Sequence, residues 1–198
     1  MRLWPVALAL FAGTVTAASP SLPDKVQNVL TVIDAVPTPS DLDDVFTNHA
    51  SALQGLAAIA RDTGATDPAS RNARLHAISA LSTYCPSPCD PATNSAHQAL
   101  VAIIQETGDK YAGYDAVVLR AAVEAIGPQR VASDLDLLVS ELQSPSRDIR
   151  AAVAHSLRDL CNTNAIAPLR LQQQTETSEQ VKQAITEALR VLGQAPCQ

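Results

Sequence analysis

A short pattern recurs along this chain: an apolar residue, a basic residue directly after it, then small or apolar residues at helical spacing. Its copies are Ala73-Arg74 with Ala77, Ala80, Leu81 and Tyr84, and Leu119-Arg120 with Ala122, Val123 and Ile126. A third is Ile149-Arg150 with Ala152, Val153, Leu157 and Leu160; the fourth is Val181-Lys182 with Ala184, Ile185, Ala188, Leu189 and Leu192. Such spacing traces one face of a 3.6-residue helix. A motif returning about every 30 to 47 residues implies helical units stacked on one another, each burying its apolar face against the next.

Start and stop signals divide the chain into about nine helices. The first is expected over 24–35, with Val26, Val29, Leu30 and Ile33 on one face, ended by Pro37 and Pro39. Ser40 caps a second over 41–61, stopped by Gly64. Asp67-Pro68 and Asp90-Pro91 each join a capping acceptor to a proline at the first helical position. They open helices running to Tyr84 and to Gly108. A helix over 114–126 stops at Gly127-Pro128, and Val131 to Leu142 form the next. Ser144-Pro145-Ser146 turns the chain into 147–161, and 166–173 and 178–192 close the array. No segment alternates as a strand does, and short turns place neighbouring helices antiparallel.

The layout of Asp134-Leu135-Asp136-Leu137-Leu138 through Ser144-Pro145-Ser146-Arg147-Asp148-Ile149-Arg150-Ala151-Ala152-Val153 resembles the HEAT-repeat family. So does Ile166-Ala167-Pro168-Leu169 through Glu179-Gln180-Val181-Lys182-Gln183-Ala184. The likeness is to short bacterial repeats of the phycobilisome-lyase type, and it is closer over 95–193 than over 24–94. It implies an all-α, right-handed α-solenoid of armadillo or HEAT type over 24–193, between short tails at 18–23 and 194–198. The resemblance is informative about architecture and poor for function, because such arrays host scaffolds, adaptors and a few enzymes. Two departures stand out. His76 replaces the small residue found at Ala122, Ala152 and Ala184, and Cys85 to Cys89 inserts a proline-bounded loop.

Met1-Arg2, an apolar run from Leu3 to Val15 and the small-residue end Val15-Thr16-Ala17 read as a signal peptide over 1–17. The run is too short for a membrane-spanning helix. Export to a periplasm or the extracellular space is therefore expected. The chain carries 14 basic and 20 acidic side chains, a formal charge of −6. That balance disfavours nucleic acid, whose binding needs a basic footprint. Outside the leader the aromatic residues are Phe46, Tyr84, Tyr111 and Tyr114 alone, few for a sugar platform or cofactor pocket. No cofactor is expected.

Four cysteines allow three disulfide pairings, and an oxidising compartment makes disulfides the default. Cys85 and Cys89 can bridge locally. Cys161 and Cys197 follow the ends of successive motif helices, and a bond there would tie down the tail, worth roughly 3 to 4 kcal/mol in the chain-entropy model. The competing use is a metal site from Cys85, Cys89 and His97, with His76 in reach. A disulfide accounts for both thiols without a metal.

Arg74, Arg120, Arg150 and Lys182 hold equivalent positions, so at least the last three form a ladder. They either offer a strip to an acidic partner or bond turn carbonyls and acids such as Asp115, Asp148 and Glu179 to hold the stack. The segment Gly108 to Tyr114 holds two aromatics, Tyr111 and Tyr114, which either dock a partner or cover a helix end. His155, Ser156 and Asp159 have the letters of a hydrolase triad, but adjacent helical residues point about 100° apart. His49 and His97 read as surface or partly packed side chains. The expectation is a non-enzymatic binding or scaffold module for a protein partner; the alternative is an accessory or lyase-type enzyme of the same architecture.

Overall fold

The computed structural model describes residues 23–31, 37–85 and 89–194. The expected leader at 1–17 and Cys197 lie outside the described residues. Among those described there are ten α-helices and no strand. In chain order they are α1 (Asp24–Leu30), α2 (Pro39–Val45), α3 (His49–Ala60), α4 (Pro68–Leu81) and α5 (Ser95–Thr107). Then follow α6 (Gly113–Ile126), α7 (Leu135–Glu141), α8 (Arg147–Leu160), α9 (Ile166–Thr175) and α10 (Glu179–Leu192).

From α3 onward the helices pair as antiparallel hairpins: α3 with α4, α5 with α6, α7 with α8 and α9 with α10. The second helices, α4, α6, α8 and α10, pack side by side and form one continuous layer. Among the first helices α3 and α5 pack closely together, while α7 and α9 pack mainly on their hairpin partners α8 and α10. This two-layer stack is the α-solenoid that the repeat implies. The recurring apolar face is its core. Ala73, Leu119, Ile149 and Val181 are all buried, as are Val123, Val153, Leu157 and Ile185 that follow them. Alanines at Ala77, Ala122, Ala152 and Ala188 let adjacent backbones approach. Gly127 belongs to that approach: a Cβ there would strike the backbone of Ser156 on α8, whose hydroxyl donates to Val123 O at 2.7 Å.

Three expectations at helix ends fail for local reasons. The stretch 41–61 is two helices. Asn48 supplies a new cap, its Oδ1 accepting from Ser51 N at 2.9 Å, and Thr47 turns at φ 76°. The turn lets the Phe46 ring lie on Gly55, where a Cβ would not fit. Second, α2 starts earlier than Ser40, because Thr38 and Asp41 form a reciprocal capping box with Pro39 at the first position. Third, Asp90-Pro91 opens no helix. The Asp90 carboxylate accepts from Ala92 N and Thr93 Oγ1 and closes a turn, while Asn94 caps α5 through Ala96 N and His97 N. The Asp67 cap and its proline do start α4, which ends at Leu81 and not at Tyr84. The second helix therefore becomes two, and ten stand where about nine were expected.

Candidate functional site

The four basic residues of the repeated pair meet three different fates. Arg150 makes the fullest set of contacts. Its Nε and Nη2 donate to both oxygens of Glu176, at 2.7 and 2.8 Å, and Nη1 donates to Ser144 O at 2.8 Å. Glu176 lies in the turn before α10, one repeat on. It also accepts from Gln172 Nε2 and from the backbone amides of Thr177 and Ser178. The Glu176 side chain is 1% exposed, and the Arg150 hydrogen bonds pull its carboxyl down to about 2 against the opposing effect of burial. This forked pair clamps two repeats together.

Arg74 is buried and donates to Ala60 O at 2.9 Å. Its guanidinium lies 5.8 Å from the ring centroid of Tyr114, and that of Arg71 lies 4.9 Å away. The Tyr114 hydroxyl donates to Arg71 O at 2.9 Å. Tyr114 thus ties α6 to α4 by hydrogen bonding and cation–π attraction. It stands in the first turn of α6, so the aromatic loop is shorter than the sequence suggests. Tyr111 is half-buried against the core; burial raises its pKa, with Glu141 and Asp109 adding to the effect. Glu141 is itself buried with no hydrogen-bond partner for Oε2, which pushes its pKa up. Arg120 and Lys182 stay near solvent, pairing with Glu124 and Glu179 of their own helices, each at 2.8 Å.

The least expected site is at His97, which is buried and not a surface group. Nδ1 lies 2.9 Å from Gln129 Oε1 and Nε2 lies 3.4 Å from Asp134 Oδ1. Gln129 Nε2 donates to Leu81 O at 3.1 Å, so its Oε1 must accept from His97 and the Nδ1 carries a proton. Burial pushes the Asp134 carboxyl up to about 6, with His97 opposing the shift. The cluster latches α5 onto the connection between α6 and α7. Its signal was present in the sequence: His97 falls at helical spacing with Leu100 and Ile104 on the buried face.

Cys85 and Cys89 form a disulfide with Cα atoms 5.2 Å apart, and His97 spends both ring nitrogens elsewhere, so the alternative metal set is not assembled. Cys161, at φ 58° after α8, is also disulfide-bonded. His49 does lie at the surface. Its Nδ1 pairs with Asp43 at 3.1 Å and its ring stacks on Tyr84. His155, Ser156 and Asp159 diverge as their helical spacing requires: Ser156 bonds Val123 O, Asp159 pairs with Arg158, and His155 is exposed.

Residues 111–190 match the family model described as HEAT repeats. No curated protein and no solved structure matches the chain. The matched segment runs from just before α6 into α10 and takes in the last two hairpins and the Arg150–Glu176 clamp. That match and the all-helical stack of hairpins support a HEAT-repeat architecture for this chain, compatible with an α-solenoid.

Proposed function

We propose that this chain is an exported interaction module, without a catalytic step of its own, that holds a protein partner on the surface of its HEAT array. HEAT repeats suggest a protein-interaction scaffold. The observation that carries the reading is a stripe on α6: Val117, Arg120 and Glu124 share one helix face, and all three are exposed. Arginine is among the residue types enriched at protein interfaces, and here it stands beside an exposed apolar side chain. Of the other residues singled out, Lys182 is partly exposed on α10, while Tyr114 and Arg150 are engaged with neighbouring repeats and Tyr111 packs against the core.

A photo-crosslinking residue placed at Val117 tests this, with one at Leu171 as the control. Leu171 is the other exposed large apolar side chain among the described residues, and it lies on α9 in the opposite layer. A defined adduct from position 117 in the intact envelope fraction, and none from 171, is the expected result. Adducts from 171 alone would move the binding face to the first-helix layer. The leader-like start at Met1 to Ala17 and the Cys85–Cys89 disulfide support export. Peptide mapping of the unreduced, exported chain should find Ala18 at the N-terminus and Cys161 joined to Cys197. A cytoplasmic chain with free thiols would refute export.

A further inference from the structure

We propose that Glu141 and the end of α5 form a binding site for a hard divalent cation of the calcium type. Glu141 closes α7 and is 7% exposed, and its Oε2 is buried with no hydrogen-bond partner. Its other oxygen comes in over Gly108, the residue that follows α5. A Cβ on Gly108 would stand 2.9 Å from Glu141 Oε1 and 3.0 Å from Ile104 O. Gly108 has an ordinary helical backbone, φ −61°, so what its missing side chain supplies is room. That room brings a buried carboxylate up to the carbonyl end of a 13-residue helix.

The placement is electrostatically wrong for a carboxylate left alone. A helix C-terminus carries unpaired carbonyls and partial negative charge, where cations belong and acids do not. Burial also removes the water that would otherwise hold the charge. No cation among the described residues answers it: burial is the one influence on the Glu141 carboxyl, and Lys110, two residues beyond Gly108, is exposed. Two neighbouring carbonyls have donors of their own. Thr107 O accepts from Lys110 N at 2.8 Å, and Ile103 O accepts from Thr107 Oγ1 at 2.5 Å. The carbonyl beside the carboxylate is that of Ile104.

A second carboxylate stands at the mouth. Asp109 is exposed, directly after Gly108, and acts on Tyr111 together with Glu141, so two acids lie near one ring. Carboxylate and carbonyl oxygens are the ligands calcium takes, about six to eight of them, with water completing the shell. No three His, Cys, Asp or Glu side chains gather as a metal cluster among the described residues, which argues against a transition metal held by side chains. With one buried and one exposed carboxylate, affinity belongs in the weak range of extracellular calcium sites, on the order of 10⁻⁴ to 10⁻³ M. Magnesium fits worse, because it sheds its water reluctantly. A proton on Glu141 would also neutralise the end of α5, and it is the rival to be separated.

Terbium, a luminescent stand-in for calcium, tests this when added to the intact chain and excited through tyrosine. Tyr111 lies beside the site, so emission should rise and saturate; calcium should reverse it, and magnesium at the same concentration should not. Glu141→Gln should weaken terbium and calcium binding at least about ten-fold. Gly108→Ala, whose Cβ pushes the carboxylate off the end of α5, should do the same. Asp109→Asn should cost less. Tyr111→Phe should lose the emission while calorimetry still finds calcium. Calcium should raise the melting midpoint of the parent and leave that of Glu141→Gln unmoved, which a variant that merely packs differently would not do. Emission that survives in Glu141→Gln belongs to scattered surface acids. A parent whose melting ignores calcium up to about 10 mM holds only a proton there. Either result overturns the proposal.

Discussion

Val153→Asp is expected to cost most of the array's stability. Val153 is fully buried on α8, the helix that packs against both α6 and α10. A carboxylate there has no cation or donor to meet, and an unpaired buried charge costs several kcal/mol, against a total of about 5–15 for a domain. At roughly 2–4 °C per kcal/mol for a chain of this size, the melting midpoint should fall by about 10 °C or more. Ile185→Asp places the same charge on α10, also fully buried but at the end of the stack. Stacked repeats are stabilised by nearest-neighbour interfaces, so this change should fray the last repeat and spare the others. Circular dichroism should show a broad loss of helix for Val153→Asp and a smaller, early transition for Ile185→Asp. Unchanged melting in both would mean that these positions face solvent and the repeat register is wrong.

The second large effect concerns the Arg150–Glu176 clamp. Arg150→Ala strands a carboxylate that is 1% exposed, a change of the kind that costs about 3–5 kcal/mol. The clamp also makes stability depend on pH in a stated direction. The Glu176 carboxyl lies at about 2 in the fold against an ordinary 4.5, so the folded state favours the ionised form. Its contribution, on the order of 3 kcal/mol, is fully present above about pH 4.5 and is lost as pH falls toward 2. Glu176→Gln keeps the shape and should flatten this part of the stability profile while lowering stability at neutral pH. Urea midpoints measured between pH 2 and 7 decide it. A parent and a variant with parallel profiles would show that the pair contributes nothing in solution.

These two predictions draw on different sources. Val153 and Ile185 were legible as core from spacing alone, since a helix exposes or buries its residues with a period that composition reveals. Glu176 was not, because a single acid in a polar turn looks like any other surface residue. It became a clamp only because the turn before α10 falls opposite Arg150. The same holds for His97. Its spacing to Leu100 and Ile104 marked the buried face, but Gln129 and Asp134 are more than thirty residues away along the chain. Long-range polar partners leave no periodic trace.

Helix boundaries divide along similar lines. Asp67-Pro68 starts a helix because cap and first turn are local, a matter of one side chain and two amides. Asp90-Pro91 has the same letters and yields a turn, because Asn94 caps α5 while also donating to Tyr84 O at 2.9 Å. Thr47 takes a left-handed backbone, uncommon for a β-branched residue, where Phe46 folds onto Gly55.

By itself, then, the sequence determined the helical class, the repeat and the apolar faces, all of which follow from short-range periodicity and the chemistry of caps. Tertiary structure decided which of four equivalent cations is clamped, which stacks on a ring and which is left open. That outcome depends on what the neighbouring repeat presents across the gap. Arg150 is tied to Glu176 in the turn before α10, whereas Arg120 pairs with Glu124 of its own helix and stays exposed.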